Sequence, residues 1–462
     1  MPRKKPAADP LAFIFCPKTF DPAACPGLSP QMYDSARLYL STIFIRRVMT
    51  AHRAKSPFVN LSQKRLGDIL GNRNHVRPVR EALLAAGLIE IDGEYRPGRK
   101  CLGHRLAEPL RGPGIWARYA MPGARFAKKA AKSRSSLVRP CPENPELTAH
   151  LQKWVDLVEF TPAADWVMAT ISDELFPPRP DGQEHEFLSR RDFAAAQRMV
   201  IESGHRPVKR DLYGRYHTAF TVLCRELRTC LKINSEPLWE IDVAASQPYL
   251  LGMLVLRNLQ MGRQNKTDSG GFPLGRVYVS NFVPQELDRL FDRVLAGRFY
   301  DDFTKFRPGL SRDDVKRQVF CVIFGDVELM NDSRAGKRFK KLYPAVFAAT
   351  VWMKEHNPLI ADKKEEKPFA WVGRELQRME SRVVIDDVAE PLRRDHPEIP
   401  FLTVHDSLLT PERHLPLIRS LLDEAFGRAY PFKPTLKVKG PTLDPAITSF
   451  RRRGPASLPA HV

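Results

Sequence analysis

Residues 239–251 read Trp-Glu-Ile-Asp-Val-Ala-Ala-Ser-Gln-Pro-Tyr-Leu-Leu, an apolar run with Asp242 in it that predicts a β-strand. A second stretch, Ile-Pro-Phe-Leu-Thr-Val-His-Asp-Ser-Leu-Leu-Thr-Pro-Glu at 399–412, has the same character around Asp406. Two such strands can hold two carboxylates side by side, the minimum needed to grip a pair of Mg2+ ions for phosphoryl transfer. Taken singly, an Asp beside an apolar strand is as commonly a turn or cap residue. A third stretch between them changes that balance. Ser-Arg-Asp-Asp-Val-Lys-Arg-Gln-Val-Phe-Cys-Val-Ile-Phe-Gly-Asp at 311–326 sets Arg312, Lys316, Phe320 and Phe324 four residues apart, ahead of Gly325. Steps of four place all of them on one helical face. Two cations followed by two rings suit a nucleoside triphosphate, although the same spacing is more often a solvated stripe beside a core stripe.

In this order the three stretches resemble motifs A, B and C of family A DNA polymerases and their single-subunit RNA polymerase relatives. The middle one is the most specific: Arg312, Lys316, Phe320, Phe324 and Gly325 fill every slot of motif B, with Phe324 where the family usually has Tyr. Gly214-Arg215 is similar to the family's Thr-Gly-Arg element, and Gln377, in Leu-Gln-Arg-Met-Glu-Ser, to the Gln helix before motif C. The resemblance covers residues 205 to 440 and implies an α+β right-hand palm and fingers, an antiparallel sheet with helices. It implies that Asp242 and Asp406 hold two Mg2+ ions, with Mn2+ as an alternative, and that Lys316 is catalytic with them. Arg312, Lys316, Phe320, Phe324 and Gln247 would bind the incoming nucleotide. Arg215, Gln377 and His405 would hold primer and template. Outside that resemblance, His405 reads as a core histidine, Gln377 as an ordinary helix residue and Arg215 as an ion-pair partner.

Departures from the family pattern bear on the sugar. The family's DNA polymerases carry Glu five residues after the motif A Asp, and here that residue is Gln247. Phe324 lacks the hydroxyl with which the RNA polymerases recognise a ribose. His405-Asp406-Ser407 is RNA-polymerase-like, whereas Phe320 is DNA-polymerase-like. The expectation is a DNA polymerase acting on DNA template and primer with dNTPs, with rNTPs the alternative. A single-subunit RNA polymerase or primase, a DNA-binding initiator or regulator with an inactive palm, and a template-independent nucleotidyltransferase are the rival readings.

The N-terminal part reads as a winged helix-turn-helix preceded by a helix over 30–53. Residues 61–71 and 75–91 give helix, turn, helix and strand, and 95–109 add a basic hairpin and second strand. The second helix, 75–86, would offer His75, Arg77 and Arg80 to DNA, and Arg96, Arg99 and Lys100 of the hairpin would meet adjacent phosphates. Docking of a protein is the competing use of such a module. The expected organisation is an extended or disordered 1–29, the winged helix at 30–122, a basic linker at 123–144, a helical thumb-like or connecting region at 145–213, palm and fingers at 214–450 and a disordered basic tail at 451–462. Residues 361–368, Ala-Asp-Lys-Lys-Glu-Glu-Lys-Pro, read as a surface loop.

The chain has 462 residues and a formal charge of +20, which calls for a polyanionic partner. The run 125–139 carries six basic residues and no acidic one, reading as an arm along a phosphate backbone or as a solvated linker. No apolar run approaches the ~20 residues of a membrane span, and no secretory signal follows the basic start. A cytoplasmic protein is therefore expected, with no membrane partner and with replication proteins as further partners. The seven cysteines form no Cys-x-x-Cys pair, which argues for free thiols and against structural zinc. No acidic constellation for a proofreading exonuclease precedes the three motifs. A compact polymerase with a winged helix suits replication or priming of a plasmid, phage or other mobile element.

Overall fold

A computed structural model describes residues 13–50, 58–95, 101–111, 113–120, 144–173, 189–264, 282–304, 311–355 and 369–442. The chain divides into two compact units, one from residues up to 209 with 217–237 and the segment from 441 onward, the other from 210–216 and 238–440.

The first unit is built around helix α1, Tyr33–Thr50, whose Tyr39, Leu40, Ile43 and Phe44 are almost wholly buried. Strands β1, Phe13–Pro17, and β5, Trp116–Ala120, pair antiparallel, and the indole of Trp116 stacks on Phe44 at 4.2 Å. Helix α2, Gln63–Leu70, begins at Ser62, whose hydroxyl accepts from the Arg65 amide, and ends at Gly71 in the left-handed region, where glycine carries no steric penalty. Helix α3, Val76–Ala85, buries Val76, Val79, Ala82 and Leu83 on one stripe. Strands β2, Val59–Asn60, β3, Ile89–Ile91, and β4, Gly103–Leu106, form an antiparallel sheet with β4 central. Residues 96–100, the tip of the expected hairpin, lie outside the described residues.

Helices α4, Pro145–Leu157, α5, Ala163–Thr170, and α6, Arg190–Glu202, also fall in this unit, α6 lending Ala196 and Val200 to the core around α1. Residues 145–209 of the region expected as thumb-like thus group with the N-terminal part, as do residues 217–237, while 210–213 fall in the second unit. Strand β6, Val158–Phe160, pairs antiparallel with β7, Leu231–Ile233. Of the N-terminal 1–29 expected as extended or disordered, Phe13–Pro17 is the paired strand β1 and Cys25 and Leu28 are buried, while residues 1–12, the expected linker from 123 to 143, the surface loop 361–368 and the tail 451–462 lie outside the described residues.

The second unit carries an antiparallel sheet ordered β9, β10, β8, β11: Leu402–Val404, Ser407–Pro411, the part of Glu236–Val243 from Leu238 on, and Leu436–Lys439. Ile241 and Val243 of β8 point into the core, so Glu240 and Asp242, one residue out of phase, share the other face. Helices α7, Ser246–Gln264, and α8, Phe282–Leu295, approach closely at Gly252, where an added Cβ would meet Leu290 and Phe291 at 2.8 and 2.9 Å. Helices α9, Arg312–Phe324, α10, Val327–Asp332, α11, Arg334–Leu342, and α12, Pro344–Glu355, follow. Helix α13, Ala370–Ser381, runs on through a π-helical segment, Arg382–Ala389, into α14, Glu390–Asp395. Helix α15, Leu415–Ala429, packs against the π-helical segment. The fold is thus mixed, predominantly helical with antiparallel sheets. Among the described residues, no helix is long and apolar enough to cross a membrane.

Candidate active site

The two acidic residues meet through strand register. Asp242 of β8 stands opposite Ser407 of β10, and Asp406 is the residue just before it, in the two-residue turn joining β9 to β10. His405, the other turn residue, has φ 54, a left-handed conformation that a non-glycine residue adopts at a cost. The Ser407 hydroxyl donates to the Val404 carbonyl at 2.9 Å and closes the turn. Burial, and next the negative charge of Asp406, push the Asp242 carboxyl up to about 6, against the pull of Lys439. The Lys439 ammonium of β11 lies 2.7 Å from Asp242 Oδ2 and 3.6 Å from Glu240 Oε2.

Helix α9 starts with a capping box: Ser311 accepts from the Asp314 amide and the Asp314 carboxylate accepts from the Ser311 amide. Its buried stripe is Val315, Val319, Val322 and Ile323, which leaves Arg312, Lys316, Phe320 and Phe324 on another face. Arg312 donates to the Gly297 carbonyl at 2.9 Å and lies 5.9 Å from the centre of the Tyr300 ring. The Lys316 ammonium stands 5.3 Å over Phe320, and Phe320 meets Phe324 edge-on at 5.7 Å.

The C-terminus of α9 is held from α12. Lys354, 1% exposed, donates to the carbonyls of Val322 and Gly325 at 2.8 and 2.7 Å. Burial lowers its pKa to about 8, with Asp326 opposing. Gly325 has no room for a side chain, since a Cβ would stand 2.3 Å from the Cys321 carbonyl oxygen.

Helix α13 links the remaining positions. Phe324 lies on Gly373, where a Cβ would come within 2.5 Å of the ring, and Gln377 and Glu380 follow on the same stripe at steps of four and seven. Glu380, 2% exposed, accepts from Gln247 Nε2 at 2.5 Å and pairs with Arg215 at 2.7 Å. Burial drives the Glu380 carboxyl well above its ordinary range, with the Arg215 guanidinium pulling the other way. Arg215 is delivered by a tight turn in which Asp211 Oδ1 accepts from the amides of Tyr213 and Arg215. Gly214 takes φ 87 there, and a Cβ on it would stand 3.0 Å from that of Ser381.

Four contributors escape any local sequence pattern: Lys439, Glu380, Lys354 and Tyr300. The Tyr300 hydroxyl is buried with no hydrogen-bond partner among the described residues, and its pKa is raised by burial first and then by Asp406 and Asp242, with Arg312 opposing. It therefore lies within the field of both carboxylates. The only sequence signal for it is its place in an aromatic pair, Phe299-Tyr300, upstream of α9.

In the first unit, Arg77 is exposed and donates to Glu81 at 2.7 Å, one helical turn on. Arg80 is half-buried; its charge opposes the burial that raises the Tyr39 pKa and adds to the burial that lowers the His104 pKa to about 4. His75 Nδ1 lies 3.0 Å from the Ser35 hydroxyl. Arg96, Arg99 and Lys100 fall outside the described residues. The six described cysteines are free thiols.

No protein-family profile matches the chain, and no curated protein matches it either. Among solved structures, it is similar to the POL domain of Pol1 from M. smegmatis, in complex with DNA primer-template and dNTP, at 11% identity over 68% of this chain and 72% of that chain, with a TM-score of 0.32. At that level the likeness carries no argument about function.

Proposed function

We propose that the chain is a template-directed nucleic acid polymerase, a nucleotidyltransferase of the family A type that extends a DNA primer with dNTPs. The observation that carries this reading is the register that sets Asp242 opposite Ser407, beside Asp406, in the same unit as the cationic and aromatic face of α9. Among the described residues no group of three or more His, Cys, Asp or Glu side chains is arranged to hold a metal ion. Two carboxylates are nevertheless the donor set that fits Mg2+, which takes one or two protein carboxylates and completes its shell with water and substrate phosphates. Burial first, and then the charge of Asp406, makes the Asp242 carboxylate costly to keep ionised, a cost that a divalent cation held by the two carboxylates would offset.

Two bound Mg2+ ions, or Mn2+, would supply charge stabilisation at the attacking 3'-hydroxyl and the leaving pyrophosphate. Asp242 and Asp406 would hold them. Arg312 and Lys316 would bind the triphosphate, Lys316 neutralising or protonating the departing pyrophosphate. Phe320 and Phe324 would pack on the sugar and the nascent pair, with Gly373 fixing the Phe324 ring. Glu380 would fix Gln247 and Arg215 together, so the sugar-side and primer-side positions share one carboxylate. Gln377 and His405 would complete the grip on primer and template.

The first unit's α2, α3 and three-stranded sheet support a winged-helix DNA-binding role, in which His75, Arg77 and Arg80 would meet DNA and Arg96, Arg99 and Lys100 would contact adjacent phosphates. Such a combination would suit replication or priming of a plasmid, phage or other mobile element in the cytoplasm. The test is extension of a labelled primer-template with Mg2+, comparing dNTPs with rNTPs, template with no template, and wild type with Asp406→Ala. Template-dependent dNTP addition lost in the variant supports the reading. A preference for rNTPs moves it to a primase or RNA polymerase, and no synthesis by folded wild-type protein contradicts it.

A further inference from the structure

We infer that Lys439 is a built-in counterion that alternates between two carboxylates, pairing with Asp242 in the metal-free site and with Glu240 once a divalent cation is held there. The inference rests on the metal-dependent reading above and concerns how that site is loaded.

The register carries it. Lys439 stands directly opposite Glu240 across the β8–β11 pair, so Glu240 is its natural cross-strand partner. The ammonium nevertheless leans diagonally, to 2.7 Å from Asp242 and 3.6 Å from Glu240. Glu240 and Asp242 share one face of β8, two residues apart, and both are largely covered, with side chains 14% and 22% exposed. A cation at Asp242 offsets the like charge of Asp406, which stands next to the cross-strand partner of Asp242. A divalent ion on the same carboxylate repels an ammonium at hydrogen-bond distance. The lysine then needs another acceptor, and Glu240 lies within a small torsional change of its long, flexible chain. Glu240 is thus a positioning residue: it acts on the metal through Lys439 and is not itself a ligand.

The test is Mn2+ binding to the full chain without nucleic acid, followed by electron paramagnetic resonance of free Mn2+. Lys439→Met is expected to tighten binding about five- to tenfold, the worth of one released ion pair. Lys439→Gln should do the same, which guards against a folding defect in one variant, and Lys439→Arg should give no tightening. Glu240→Gln should weaken binding by a similar factor, and that effect should vanish in the Lys439→Met background. Two results overturn the inference: Lys439→Met and Lys439→Gln binding no tighter than wild type, or Glu240→Gln still weakening binding when Lys439 is gone, which would make Glu240 a ligand. Asp242→Asn and Asp406→Asn separate the two levels. If wild-type binding survives both substitutions, the carboxylate pair is not the metal site and the functional reading falls with the inference. If they abolish binding while the lysine variants change nothing, only the inference falls.

Discussion

At the scale of single residues, the buried charges make the sharpest predictions. Arg215 and Glu380 form an ion pair that is 14% and 2% exposed. Removing Arg215 leaves Glu380 buried without its partner, and because burial already holds that carboxyl well above its ordinary range it takes up a proton, so Arg215→Ala should destabilise the chain by about 1–3 kcal/mol in chemical denaturation. Adding Glu380→Gln should recover part of that loss; additive losses would show that the pair is not coupled. Lys354 gives a pH dependence. Its folded pKa, about 8, lies below the 10.5 of the free side chain, so the unfolded chain binds the extra proton between these values. The cost of holding it charged is fully present below pH 8 and is relieved as pH rises toward 10.5. Wild type should therefore gain up to about 3 kcal/mol on Lys354→Met between pH 7 and 10, and an unchanged difference would refute the buried ammonium.

At the scale of elements, the strands and the α9 helix were legible because their signals are local. The four-residue spacing from Arg312 to Phe324 is a helix over those residues, ending at Gly325, and the apolar runs around Asp242 and Asp406 are adjacent antiparallel strands. Lys439 was not legible, because it meets Asp242 only through the pairing of strands 197 residues apart in sequence. Glu380 lies in the same stretch as Gln377, and spacing places both on one stripe but does not say which of them Arg215 and Gln247 meet. Lys354 caps a helix on which it does not lie. The contact between α13 and α9 at Gly373 can be tested directly. Gly373→Val should displace the Phe324 ring, which a Cβ already crowds at 2.5 Å, and cost about 1–3 kcal/mol of stability along with nucleotide affinity. Restoring space with Gly373→Val/Phe324→Ala should recover stability but not nucleotide affinity. In the β9–β10 turn, His405→Gly relieves a φ of 54 and should leave stability within about 1 kcal/mol of wild type, whereas His405→Val should lower it.

At the scale of the whole molecule, the formal charge of +20 predicts that duplex binding is dominated by counterion release. With about six phosphate contacts, affinity should fall about a thousandfold between 50 and 200 mM salt, and a flat salt dependence would remove nucleic acid as the partner. The division into two units adds the expectation that the first binds duplex DNA while the second carries the chemistry. The central claim is that the second unit copies a template using Asp242 and Asp406. The most direct measurement is incorporation of one labelled nucleotide onto a primer opposite each of the four template bases, by wild type, Asp242→Asn and Asp406→Asn, all shown to be folded. Wild type is expected to add the complementary nucleotide, with at least a thousandfold loss in each variant. Addition that ignores the template base, or that survives in either variant, would contradict it.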